Sequence, residues 1–192
     1  MLTEPAQVAA FLVAVCFAAG LNVSGTVALL GLLTRVGAVT LPGDLAVLDS
    51  WWIIGLSGVL FILEVIADKL PLVDLVWNVL QTFVRVPVAG VLAYAATGTL
   101  SPGWQLLAGV LGSLLALLAH TLKTSMRTTV SASPEPVSKF GLSLAEDVFA
   151  LGIVWFASAY PWAAAAIVAV TIAGVSFTVR WLFRRLRRVL RT

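Results

Sequence analysis

Recurrent long apolar runs decide what this chain can fold into. They cover residues 6–34, 51–69, 71–100, 104–122, 140–159 and 162–183. A helix of about 20 mostly apolar residues crosses the ~30 Å hydrocarbon core of a bilayer. A soluble domain carries about 25% charged residues; this chain carries 11%, against 60% hydrophobic. The expected fold is all-α: a polytopic membrane protein of about six transmembrane helices. It forms one transmembrane domain over residues 1–183, followed by a basic cytoplasmic tail at 184–192.

The first run is too long for its purpose. Its 29 residues would extend about 43 Å as one helix. Two readings stay open. The segment Gly20-Leu21-Asn22-Val23-Ser24-Gly25 breaks the helix, as in the discontinuous helices that build transporter sites. Alternatively, one long tilted helix uses these small residues for close packing. Met1–Gln7 carries Glu4 and no Lys or Arg, which is not the basic leader of a cleavable signal peptide. The single cysteine, Cys16, lies inside this run. It excludes an intrachain disulfide and reads as a buried, inert thiol.

The later runs are punctuated by Pro and Gly. A loop over 35–50 holds Arg35, Pro42, Gly43, Asp44 and Asp49, and Trp51-Trp52 opens the second span. Pro71 closes that span, Ser101-Pro102-Gly103 is a turn, and Pro161 separates the last two spans. Between 71 and 100, Asp74, Asn78, Gln81 and Arg85 recur at helical spacing as one polar stripe. Only about 15 residues follow Arg85, short for a span. The stripe is therefore expected to enter the bundle rather than lie along the interface.

Charge sets the orientation. With the Arg-rich C-terminus cytoplasmic and six spans, both termini are expected inside a cell (inner) membrane, with eleven of the twelve basic residues on that side. Trp51, Trp52, Trp104, Tyr160 and Trp162 then form an outer belt, with Trp77 and Trp181 at the inner one. Six spans also permit an inverted three-plus-three repeat. Gly55-Leu56-Ser57 and Gly141-Leu142-Ser143, in spans two and five, are its slight sequence support.

Against this apolar background stands a set of ionisable and polar residues near the cytoplasmic side: Glu64, Asp68, Arg85, His120, Lys123, Glu146 and Asp147, with Asn22 at the first-run break. Glu64 and Asp68 share a helical face. An ionisable residue inside a span is a functional-site hypothesis by default. Two accounts compete. The set lines a solute or ion site, where crowded carboxylates do not all ionise and His120 relays a proton. Or it ties helices together, with Ser143-Leu144-Ala145-Glu146 a capping box at a helix start.

No metal-ligand spacing, phosphate loop or nucleophile motif accompanies the lone histidine. No metal, cofactor or nucleic-acid partner is expected, and an enzyme is the weaker class. The tail residues Arg184, Arg185, Arg187 and Arg188 suit anionic lipid headgroups. Self-association into a homo-oligomer is left open.

Several pieces occur in a specific order: Gly20-Leu21-Asn22, the run Glu64-Val65-Ile66-Ala67-Asp68-Lys69-Leu70-Pro71, Ala119-His120 with Lys123, Ser133-Pro134-Glu135-Pro136, and Ser143-Leu144-Ala145-Glu146-Asp147. Over residues 20–147 this order resembles a bacterial membrane family known as domain of unknown function 4126. Lys139 departs from it, standing where the family often has Asn. The resemblance implies a polytopic membrane protein and brings no reaction with it. The leading functional expectation is a small-solute or ion transporter, proton-coupled through its carboxylates; the alternative is a non-transporting scaffold or lipid-binding subunit.

Overall fold

The computed structural model describes residues 4–67, 71–130 and 136–189. Residues 71–76, 78, 128–130, 136–140, 182, 183 and 185–189 are described as backbone only. Seven α-helices follow in order: α1 (Pro5–Leu21), α2 (Val23–Arg35), α3 (Trp51–Ala67), α4 (Pro71–Ala96), α5 (Pro102–Val130), α6 (Pro136–Ala159) and α7 (Pro161–Val189). A short 3-10 helix, Gly43–Asp49, precedes α3. There is no strand among the described residues.

Proline marks the starts. Five of the seven helices, α1, α4, α5, α6 and α7, open on Pro. The first residue of a helix has no intrahelical use for its N–H, and the fixed φ of Pro suits that position. Pro87 is the exception, lying inside α4; neighbouring helices accommodate such a break at membrane depth.

α1 is the axis of the bundle. It packs against α4, α5, α6 and α7 and is buried from Ala10 to Leu21 except at Val13. A helix apolar on every side belongs in an interior. Small residues allow the close approach. A Cβ on Gly20 would lie 2.7 Å from Ala119 Cβ, and one on Gly112 would lie 3.0 Å from the Cys16 sulfur. Gly90 and Gly109 do the same between α4 and α5. The outward faces of α3 to α7 carry Leu, Val, Ile and Phe in the open, as expected of helices solvated by lipid.

Two ends of the bundle can be named by their residues. The aromatic end carries Trp51, Trp52, Trp104, Tyr160 and Trp162, all exposed. The basic end is where α5 finishes, α6 begins and α7 runs out through its arginines.

The first apolar run does not cross between them. Pro5 and Val8 share an aromatic-end cavity of about 340 Å³ with Thr97, Leu100 and Trp104, and Gln7 lies beside Tyr160–Trp162. From there α1 descends until Leu21 meets Lys123. The chain then reverses. Gly25 of α2 lies against Phe61 and Leu151, and Gly31 lies against Ile54 and the Leu48 carbonyl. At its end Arg35 sits 5.0 Å over the Trp51 ring, back at the aromatic end. Helices of 17 and 13 residues are about 25 Å and 20 Å long. Together they form a re-entrant hairpin with its tip at Leu21-Asn22.

Three expectations change with this. The first run is broken at Asn22, and it folds back rather than tilting across. Among the described residues, four helices are individually long and apolar enough to cross a membrane, and five are if the bent pair Gly43–Asp49 and α3 counts as one; the expected six spans and three-plus-three repeat are not confirmed. α1 begins at the aromatic end and α7 runs to the basic end, so the bundle does not support the expectation that both termini lie on one side. The polar stripe of α4 enters the bundle at Gln81 and Arg85, both buried on one continuous helix, while the side chains of Asp74 and Asn78 lie outside the described residues. α7 continues to Val189 without a break at 183, so the tail extends the last helix.

Candidate functional site

The hairpin tip exposes backbone at depth, and the site is the set of groups that satisfies it. Asn22 has an extended backbone, φ −151° and ψ 96°, which ends α1 and starts α2. Its side-chain carbonyl accepts from the Gly25 amide at 2.8 Å, an N-cap for α2. Its amide nitrogen donates to Asp147 Oδ1 of α6, also at 2.8 Å. Asn22 is fully buried, and Asp147 is 4% exposed. One residue back, the Leu21 carbonyl accepts from Lys123 Nζ of α5 at 2.9 Å.

The dipoles agree with these choices. The C-terminal end of α1 carries partial negative charge and receives an ammonium. The N-terminal end of α2 carries partial positive charge and receives an amide backed by a carboxylate. Among the described residues, no Lys or Arg pairs with Asp147.

Lys123 also lies 3.5 Å from Glu146 Oε2. Arg127, one turn further along α5, donates to the same oxygen through Nε at 3.2 Å and Nη2 at 3.1 Å, and to Ser143 Oγ at 3.2 Å. The proposed capping box is therefore wrong: α6 starts at Pro136, so Ser143 and Glu146 lie inside it and serve Arg127. Pro136 was the competing start signal within the same polar stretch.

A second group lies across α5. Glu64 of α3 and Arg85 of α4 form an ion pair through Oε1 and Nη2, with both side chains wholly buried. Arg85 Nη1 is 3.0 Å from His120 Nδ1, and His120 Nε2 is 2.7 Å from Thr82 Oγ1. A guanidinium only donates. Nδ1 is therefore the acceptor, and His120 stands as the Nε2–H tautomer donating to Thr82. His120 and Lys123 are one turn apart on α5, so the two groups meet on one helix.

Seven of the eight solute-site candidates are thus brought together: Asn22, Glu64, Arg85, His120, Lys123, Glu146 and Asp147. Asp68 lies outside the described residues. Arg184 is exposed on α7, and of Arg185, Arg187 and Arg188 only the helical backbone is described. Sequence reasoning missed Arg127, Thr82, Ser143 and the Leu21 carbonyl. Arg127 was within reach, since it stands four residues after Lys123 and so shares its face. Among the described residues, no group of three His, Cys, Asp or Glu is placed to hold a metal ion.

Among the described residues, Arg85, Lys123 and Arg127 gather with Glu64, Glu146 and Asp147 inside an apolar bundle, Glu64 and Glu146 in ion pairs and Asp147 bonded to the Asn22 amide. Pairing of this kind is the condition for keeping ionised groups at membrane depth. No curated protein and no solved structure matches the chain. The family model described as Domain of unknown function (DUF4126) matches residues 9–181, nearly the whole of the bundle. The chain therefore belongs to that family, and is one of its members built as apolar helices around a buried, charged hairpin tip.

Proposed function

We propose that the protein is a membrane transporter of a small solute or ion, with its site at the hairpin tip. The observation that carries this reading is the pair of broken helix ends held at depth. One faces Lys123, and the other faces Asn22 and Asp147. Discontinuous helices with their ends turned to polar groups are how many transporters hold substrate and coupling ion. Asp147, held by an amide rather than by a cation, is the carboxylate best suited to carry a coupling proton or cation, with His120 one helix away as a relay.

By the positive-inside rule the basic end is cytoplasmic in a cell (inner) membrane. The C-terminal arginines then meet anionic headgroups, each worth about 1 kcal/mol near the surface. Whether copies of the chain associate is an open part of the same proposal.

One observation favours a second reading, a scaffold that transports nothing: Glu64 pairs with Arg85, and Glu146 with Lys123 and Arg127. Such pairs also serve simply to bind helices. Reconstitution into proteoliposomes, followed by a solute screen with and without a pH gradient, separates the two. Flux abolished by Asp147→Asn in a protein that stays folded supports the transporter. Absence of flux for every ion and metabolite class supports the scaffold.

A further inference from the structure

Three side chains of α4 stand in line at intervals of four: Trp77, Gln81 and Arg85. They occupy one helical face, about 6 Å apart along the axis. That face starts at the basic end, where α4 begins, and climbs to the buried Glu64–Arg85 pair. Each of the three has a buried polar atom with no hydrogen-bond partner among the described residues: Trp77 Nε1, Gln81 Oε1 and Arg85 Nε. Gln81 is 6% exposed and Arg85 is 0% exposed.

Orphaned polar atoms are costly at membrane depth and are rare in folded proteins. Three on one stripe, leading from an end of the bundle to its charged interior, is a pattern that isolated defects do not produce. The outward neighbours on α4 behave differently: Val79, Leu80 and Phe83 are exposed and apolar, facing lipid.

We infer that Trp77, Gln81 and Arg85 line a water-accessible path from the basic end, and that the path admits a small anion of the carboxylate type, received last at Arg85 Nε. This rests on the transporter reading and gives it a substrate class. The sign follows from the free atoms. Trp77 Nε1 and Arg85 Nε are N–H donors that require an acceptor. Arg85 keeps its other two nitrogens on Glu64 and His120, so the third can take a ligand without breaking either bond. The Gln81 amide meets water or solute with its oxygen, or with its nitrogen after a flip. Arg184, exposed near the end of α7, adds positive charge where the path opens.

The test uses the full-length protein in liposomes, in a Cys16→Ala background that removes the single native thiol. Single cysteines are placed by Gln81→Cys and, as a lipid-facing control, Phe83→Cys. Each is treated with a small water-soluble thiosulfonate reagent. Only a hydrated thiol ionises and reacts, so Gln81→Cys is expected to be modified about tenfold faster than Phe83→Cys or more. Millimolar formate should slow the modification at Gln81→Cys, and the bulkier gluconate should slow it less.

Equal, slow reaction at both positions in folded protein overturns the path. Fast reaction at Gln81→Cys with no protection by formate overturns the anion while leaving the path. Trp77→Phe, which keeps the ion pair intact, should weaken formate protection several-fold. Unchanged protection in that variant also counts against the anion assignment. None of these readouts measures flux, so their outcome is separate from that of the solute screen.

Discussion

Lys123 Nζ donates to the carbonyl of Leu21 across 102 residues of sequence, at the point where α1 stops. This bond takes up a backbone acceptor that the break has freed, and it places the ammonium at the negative end of α1. Lys123→Met keeps the volume and removes the charge, leaving Leu21 with an orphaned carbonyl in an apolar setting. A loss of about 2–4 kcal/mol is expected, read as a fall in unfolding midpoint in mixed micelles. Unchanged stability would mean that the Lys123 bond does not help to hold the tip.

The Glu64–Arg85 pair makes a sharper case. Truncating one partner leaves a buried charge alone, at about 3–5 kcal/mol, whereas replacing both with apolar residues of similar size is often close to neutral. Glu64→Leu should destabilise strongly, and Glu64→Leu with Arg85→Met should recover most of the loss. Flux separates the roles. A double variant that is stable yet inactive supports a solute site, and one that is stable and fully active makes the pair a structural tie.

Asn22→Ala should cost about 1 kcal/mol for the lost cap, with a further penalty for the Asp147 oxygen that loses its donor. Asp147→Asn keeps an acceptor for the Asn22 amide and removes the charge, so its stability should stay within about 1 kcal/mol of the parent. Thermal unfolding of the two variants side by side checks the order. If Asp147→Asn is the more damaged, the carboxylate charge is what holds the tip.

Glycine substitutions should divide by position. A Cβ at Gly20 has the Ala116 backbone and Ala119 in its way, so Gly20→Val should overpack the α1–α5 contact at about 1–3 kcal/mol. Gly55 has nothing within 4 Å, and Gly55→Ala should be neutral or add a few tenths of a kcal/mol through helix propensity. Equal effects at both sites would contradict the packing described for α1.

Side-specific labelling tests the hairpin. Glu4→Cys and Asp44→Cys should be accessible from one side of the membrane and Arg184→Cys from the other. If Glu4→Cys labels together with Arg184→Cys, then α1 and α2 cross as one span.

Much of this was legible in the sequence. The two glycines around a polar pair marked Asn22 as either a break or a close-packing stretch, without deciding between them; the burial of Gln81 and Arg85 followed from the spacing of α4, and the gathering of Asn22, Glu64, Arg85, His120, Lys123, Glu146 and Asp147 from the cost of ionisable groups in apolar runs. The reversal at the tip was not legible, because hydropathy is the same whether a helix continues or folds back. Its one trace was the excess length of residues 6–34, enough for two short helices. Nor does a single sequence say which carboxylate meets which cation. That depends on the axial register of α3, α4, α5 and α6, and it is why the pairing of Glu146 with Arg127 could not be read beforehand.

The burial of α1 also bears on biogenesis. The helix that the finished bundle surrounds most completely leaves the ribosome before the helices that surround it, and its anchors come late. Lys123 follows Leu21 by 102 residues and Asp147 follows Asn22 by 125. At about 5–20 residues per second, the hairpin waits several seconds or more with its tip unsatisfied. During that interval the insertion machinery or the bilayer interface must shelter it. The groups that satisfy the tip stand on α5 and α6, so they are absent until those helices have been made.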